Sequence, residues 1–266
     1  MFNRHLVRFG QSVGSTSLQL ASAKSSHINR IHYTRRMTTA TINKDSLDFL
    51  KDLSQNNNRE WFNAHKDRYT EAHNNIAAFA DALIGELNKH DRIETPSGRK
   101  SMFRIYKDVR FSKDKTPYNK HWSCIFRRAT KKLRGGYYLR IEPGDSRVVG
   151  GFFGPVPDDM KRIRQDIDDN HEDWRNVLAN PILKETFGNI RGEKVVSAPR
   201  GYAKDHPAID LLRHKQFMFR LEFTDDEILS PDFLFIANNA FKNLRPFLDY
   251  MSEVLTTDAN GISIVD

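Results

Sequence analysis

The feature that most constrains this chain is a change of hydrophobic period along it. Apolar residues recur at helical spacing from Leu47 to Leu87, alternate with period two in several runs between Phe103 and Phe153, and return to helical spacing from Met160 onward. A period of 3.6 puts apolar groups on one face of a helix, and a period of two puts them on one face of a strand. Helices, then strands, then helices is the order of an α+β fold; regular βαβ alternation would build a parallel sheet instead. The expectation is one α+β domain over residues 45–256, with a central, mostly antiparallel sheet flanked by N-terminal and C-terminal helices. Residues 257–266 form a tail.

Local signals divide the domain. Leu47, Phe49, Leu50 and Leu53 predict a short helix that stops at Ser54-Gln-Asn-Asn-Asn58, and Asn is also a good cap for the helix that follows. That second helix begins near Arg59 and carries Trp61, Phe62 and Tyr69; Ile76, Phe79, Ala80, Leu83 and Leu87 continue the pattern to about Asn88. A polar loop over 90–100 leads to strands at 103–112, 121–126, 137–141 and 147–153. Pro143 to Ser146 is the turn of a hairpin, and Gly150-Gly151 marks a bulge or a close backbone approach. Helices are expected over 157–167, 174–178 and 206–213, and a strand over 216–223. Thr224 and Glu227 make a capping box. The last helix, 233–255, is expected to kink or split at Pro246.

The formal net charge of +8 is unevenly spread. Residues 1–44 carry +7 with no acid, whereas the remaining 222 residues carry only +1. Within that remainder, residues 99–140 hold 14 basic and 2 acidic residues, while 45–98 sum to −4 and 141–266 to −7. A nearly neutral body with one basic segment favours a local anion site over bulk coating of nucleic acid. The acid-free start is rich in Ser, Thr and Arg, with Phe2, Leu6, Phe9 and Val13 on one helical face, which is the composition of a mitochondrial transit peptide. Residues 1–44 are therefore expected to be a targeting leader, and Met37 offers an internal start for a cytoplasmic form. Cys124 is the single cysteine, so no disulfide forms within the chain. No stretch approaches 18 apolar residues, so no membrane insertion is expected.

The richest candidate site is Arg104-Ile-Tyr-Lys-Asp-Val-Arg-Phe-Ser-Lys-Asp-Lys-Thr-Pro-Tyr118. As a strand it would point Arg104, Tyr106, Asp108 and Arg110 one way, with neighbours about 6.6 Å apart. Asp108 would orient the arginines, and a free guanidinium fork would take a carboxylate or phosphate. In the following turn Lys113 and Lys115 add charge and Pro117 restricts Thr116; Asp108 and Asp114 are the candidate catalytic carboxylates, Asp114 as general acid or base. Arg164, beside the Met160–Ile163–Ile167 face, and Arg200, in Pro199-Arg-Gly-Tyr202, are further ligand-binding candidates. Each has an ordinary reading as well, an internal ion pair for Arg164 and a loop residue for Arg200. The run Arg127 to Arg134 is a basic loop, solvated or in contact with phosphates. No phosphate-binding glycine loop, dinucleotide fingerprint or nucleophile elbow is present, so no cofactor is indicated. No metal-ligand spacing occurs among the histidines.

Four blocks carry a family resemblance: Phe49 to Phe62, Phe103 to Tyr118, Gly136-Tyr-Tyr-Leu-Arg-Ile-Glu-Pro143 and Pro199-Arg-Gly-Tyr202. The chain resembles the family called domain of unknown function 2461 over about residues 47–256. The resemblance implies a single α+β domain and a site on Arg104, Asp108, Arg110, Asp114, Lys115 and Tyr118; it carries over no activity. The family usually lacks a segment like 1–44, and 127–134 is a variable stretch within it. Three readings stay open. The first is binding of a small anionic or phosphorylated ligand, with or without turnover. The second is a nucleic-acid interface on the basic segment 99–140, and the third is a protein-interaction module using the same segment. The balance of charge favours a small anionic ligand over nucleic acid, and the sequence is silent on oligomeric state.

Overall fold

The computed structural model describes residues 40–258 and 260–265, so the expected targeting leader lies, up to residue 39, outside the described residues. Three helices come first, α1 (Lys44–Gln55), α2 (Arg59–Ala64) and α3 (Lys66–Leu87), followed by the single turn α4 (Gly98–Ser101). The strands β1 (Trp122–Arg127), β2 (Gly136–Ile141) and β3 (Ser146–Phe152) come next. Helices α5 (Pro157–Asp169), α6 (His171–Leu178), α7 (Pro181–Phe187) and α8 (Ile209–Leu212) lead to β4 (Phe217–Phe223), then α9 (Asp225–Leu229) and α10 (Phe233–Thr256). The four strands form one antiparallel sheet in the order β1-β2-β3-β4, which is the expected α+β architecture.

One face of the sheet is apolar and builds the core. Cys124, Phe126, Tyr137, Leu139, Val148, Phe217 and Phe219 alternate onto it, all at or below 1 % exposure. Helix α10 covers this face with Phe241, Leu244, Phe247 and Leu248, and Phe241 and Phe247 meet Tyr137 and Phe219 with ring centroids 4.9 and 5.0 Å apart. The glycine pair in β3 permits that proximity. A Cβ on Gly150 would stand 2.0 Å from Leu244, and one on Gly151 (φ +131°) would stand 2.1 Å from the carbonyl of Phe217. The pair therefore marks a close approach, and the ladder runs through it without a bulge. A second aromatic group ties α1, α2 and α3 to β1, where Phe49 stacks on Trp122 (5.9 Å) and Phe62 on Tyr118 (4.1 Å). Ile42, just ahead of α1, is buried with them.

Several elements depart from the expected ones. Residues 103–112 are not a strand. Only Tyr106 makes a bridge, to Tyr118, while Phe103 is about half exposed and Phe111 is 96 % exposed. The alternation there reflects one buried residue, Ile105, rather than a pleated face. Helix α7 was not anticipated; Asn180 caps it by accepting from the amides of Ile182 and Leu183, and Pro181 occupies its first turn. Helix α10 runs unbroken through Pro246. The Arg127–Arg134 loop is also less solvated than its composition implies. Arg128 is fully buried, donating to Asp91 (2.8 Å), to the carbonyls of Arg134 and Leu248 (3.0 and 3.1 Å), to Ser252 (3.1 Å) and to Asp249. This network pins the β1–β2 connection to α10.

Candidate functional site

The charged segment 104–118 is a loop closed at its base. Lys107 N–H donates to Pro117 O (2.9 Å) and Asn119 N–H to Ile105 O (2.7 Å). Asn57 holds Tyr118 from both sides, accepting its N–H at 3.1 Å and donating to its carbonyl at 3.0 Å. Tyr118 is buried against Phe62, so it anchors the loop and its ring faces the core. Beyond this base the charges pair with each other. Arg110 grips Asp108 in bidentate fashion (2.7 and 2.9 Å), which holds the Asp108 carboxyl below its ordinary range. Lys107 binds Asp114 at 2.6 Å, and Thr116 donates to Asp114 from both its amide and its hydroxyl. These bonds hold the Asp114 carboxyl well below the usual carboxylate range, the state of an ion-pair acceptor and not of a proton donor near neutrality. Lys115 donates to the carbonyl of Val109 (3.0 Å). Arg104 and Lys113 are exposed. The expected free fork of Arg110 is thus occupied by Asp108.

A second cluster lies on the sheet face opposite the core. Ser123, Ile125, Tyr138, Arg140, Arg147, Val149, Met218 and Arg220 alternate onto it, and the register places Arg140 directly opposite Arg147 and Val149 opposite Arg220. Like charges directly opposite each other destabilise a sheet unless acids or ligands sit between them. The acids come from the rim. Asp145 accepts from both Arg147 and Arg220 (3.0 Å for the latter), and Arg140 pairs with Glu142 at 2.6 Å. The Nε of Arg220 lies 3.0 Å from Glu222 but is not aligned with it, and among the described residues it has no hydrogen-bond partner. Arg147, foremost, with Arg140 and Arg220 adding to it, keeps the Asp145 carboxyl below its ordinary value.

This face holds a cavity of about 540 Å³ lined by Phe103, Ile125, Tyr138, Arg147, Val149, Phe153, Arg191, Met218 and Arg220. Ile125, Val149 and Met218 form an apolar floor. Tyr138 stands between Phe103 and Phe153 at 6.3 and 6.2 Å, edge to face with each, and its hydroxyl meets Ser123 at 2.8 Å. Arg191 reaches the site from the β4 edge, its backbone exchanging hydrogen bonds with Met218 at 2.7 and 3.0 Å. Among the described residues its exposed side chain makes no hydrogen bond or ion pair. Among the described residues no carboxylate lines the cavity. His121 borders the arginine end, and its imidazole is pushed down to about 4, first by burial and then by the positive charges of Arg140, Arg147 and Lys107. Lys107 therefore joins the charged loop to the same electropositive region.

The other expected residues lie apart from this cluster. Arg164 is half-buried and donates to the carbonyl of Leu212 (3.3 Å), and Arg200 is exposed on its loop. Sequence reasoning passed over Tyr138, Arg140, Arg147, Arg191 and Arg220. A signal existed in the alternation of Gly136-Tyr-Tyr-Leu-Arg-Ile141 and Phe217-Met-Phe-Arg220, which turns Tyr138, Arg140, Met218 and Arg220 away from the apolar face. Among the described residues no three of His, Cys, Asp or Glu are grouped to hold a metal, and no helix is long and apolar enough to cross a membrane.

Fold and site together define an α+β domain whose antiparallel sheet is covered by helices on one face and carries an arginine-lined cavity on the other. The chain belongs to the family described as conserved hypothetical protein (DUF2461), whose model matches residues 45–250. No curated protein and no solved structure compared with it matches.

Proposed function

We propose that the protein binds a small anion with a planar or apolar body on the open face of its sheet. The observation that carries this reading is a cavity lined by three arginines and, among the described residues, no carboxylate, with aromatic walls and an apolar floor. Guanidinium forks match carboxylate and phosphate oxygens, and they are most effective where the surroundings exclude some water. Arg147 and Arg220 share the rim carboxylate of Asp145, and Arg191, whose side chain has no partner among the described residues, offers the open fork. Phe103, Tyr138 and Phe153 offer ring edges and faces to the rest of the ligand. The charged loop supplies Lys107 to the same field and otherwise keeps its charges internally paired.

The test is a thermal-shift screen of the full chain against nucleotides, sugar phosphates and aromatic carboxylates, with Arg191→Ala and Arg110→Ala alongside. Arg191 has no partner among the described residues, so its removal leaves the unliganded melting temperature within about 1–2 °C. A ligand at ~100 times its dissociation constant adds ~2.7 kcal/mol, which the screen reads easily. A rise that Arg191→Ala abolishes and Arg110→Ala preserves supports the sheet-face site. A rise lost only in Arg110→Ala moves the site to the loop, and no rise with any anion refutes the reading.

A further inference from the structure

The loop over 108–116 has a property that the sheet-face site does not use. Phe111 stands at 96 % exposure, the most exposed of the protein's large apolar side chains among the described residues. Its ring lies 5.9 Å from the Arg110 guanidinium, and Lys113 and Lys115 are exposed close by in sequence. Residues 104–120 hold six basic and two acidic side chains, whereas residues 141–266 carry −7. The loop is built to keep this shape. Asp108 folds back on Arg110, Asp114 on Thr116 and Lys107, and Lys115 on the Val109 carbonyl, all above a base pinned by Asn57 and Tyr118. Holding a phenylalanine out in water offers no folding advantage, because burial is what stabilises such a side chain.

We propose that this loop docks the protein onto an anionic lipid surface, with Phe111 entering the interface and the surrounding cations meeting the headgroups. An exposed apolar ring with Arg110 beside it and Lys113 and Lys115 close in sequence has the pattern of an interfacial anchor, in which apolar burial and attraction to anionic lipid add together. Single-stranded nucleic acid would want a series of free rings along a track. The nearest other aromatic on the loop, Tyr106, is instead tied to Phe62 (5.9 Å) and Tyr118 (5.4 Å). Residues 45–98 and 141–266, which sum to −4 and −7, are repelled by the same surface, so within the domain it is the loop that meets the lipid.

The full chain carrying Ser112→Cys, labelled with a polarity-sensitive fluorophore, tests this directly. The native thiol of Cys124 is buried and pushed up to about 12, so labelling is confined to the loop. Emission shifts to the blue on phosphatidylcholine vesicles containing about 30 % phosphatidylserine and stays unchanged on phosphatidylcholine alone. In vesicle sedimentation Phe111→Ala weakens binding about tenfold or more, and Phe111→Leu keeps most of the affinity. The basic residues 1–44 are common to every variant, so the comparison isolates the loop. Three results overturn the proposal: a probe that remains in a watery environment while the chain sediments, a Phe111→Ala variant that binds like its parent, or a probe that responds to a short single-stranded oligonucleotide and not to vesicles. The last would make the loop a nucleic-acid contact.

Discussion

Replacing Arg128 by methionine removes the most heavily bonded buried charge in the described structure, and its cost follows from its partners. The guanidinium is completely buried and meets five acceptors: Asp91, Asp249, Ser252 and the carbonyls of Arg134 and Leu248. Methionine has a similar length and fills the space, so cavity terms are small. What remains is a set of stranded acceptors. Asp91, itself 1 % exposed, keeps the Tyr137 hydroxyl at 2.6 Å and the more distant Arg245 at 3.5 Å. The Leu248 carbonyl keeps a bond from Ser252 at 2.7 Å, and Asp249 keeps Arg245 at 2.9 Å. Breaking a buried pair by removing one partner costs about 3–5 kcal/mol, and these surviving contacts place Arg128→Met near the low end, ~3 kcal/mol. For a domain of this size the melting temperature falls by about 6–12 °C. Urea denaturation of the parent, Arg128→Met, Asp91→Leu and the double variant measures it. The double variant should lose clearly less than the sum of the singles, because the two charges are each other's principal partner. A loss below about 1 kcal/mol in Arg128→Met, the range of an exposed pair, would refute the account of Arg128 as a buried clamp.

Three further predictions concern the buried histidines, the sheet face and the charged loop. His121 and His214 both titrate near 4 in the fold, against an ordinary 6.5, with burial the main cause in each. Below pH 6.5 the unfolded imidazoles take up protons that the folded ones refuse, so stability holds above that pH and declines as pH falls from 6.5 towards 4. His121→Gln should flatten part of that decline in denaturant titrations at fixed pH, and an equally steep fall would contradict the assignment. An anion on the sheet face opposes the charges of Arg140, Arg147 and Lys107, so it should raise the His121 pKa in a proton-NMR titration; an unmoved pKa with ligand bound would place the ligand elsewhere. Asn57→Ala removes both bonds to the Tyr118 backbone, costing about 1–3 kcal/mol. It should also speed proteolysis within 108–116, and unchanged cleavage would mean that Asn57 does not hold the loop.

Much of the architecture was legible because periodicity reports burial. The strands at 122–127, 136–141, 146–152 and 217–223, the long helices and the Thr224–Glu227 capping box all follow from apolar spacing or cap chemistry. The segment 103–112 misled because its alternation is short and rests on Ile105 alone, while Phe103 and Phe111 are held outside the core. Charge density carries a related ambiguity. Where Arg, Lys and Asp are close in sequence they can satisfy each other locally, as Arg110 does with Asp108 and Lys107 with Asp114. A dense charged motif is therefore as well explained by a self-paired loop as by a ligand site.

The arginines of the open sheet face and its edge are scattered along the chain, at 140, 147, 191 and 220, and each looks ordinary alone. They meet only through strand register, which side-chain types do not encode until the turns and the close approaches at Gly150 and Gly151 set it. Those glycines also connect the two faces of the sheet. A side chain at Gly150 would displace the Leu244 side chain of α10, and any side chain at Gly151 would meet the β4 backbone at Phe217 and push that strand away, shifting Arg220 from Arg147 and Asp145. The same contacts that let the core close thus set the distance between the cations on the opposite face. The open face is in this sense a product of the core packing, and a variant that disturbs Gly151 should lose ligand binding even where it still folds.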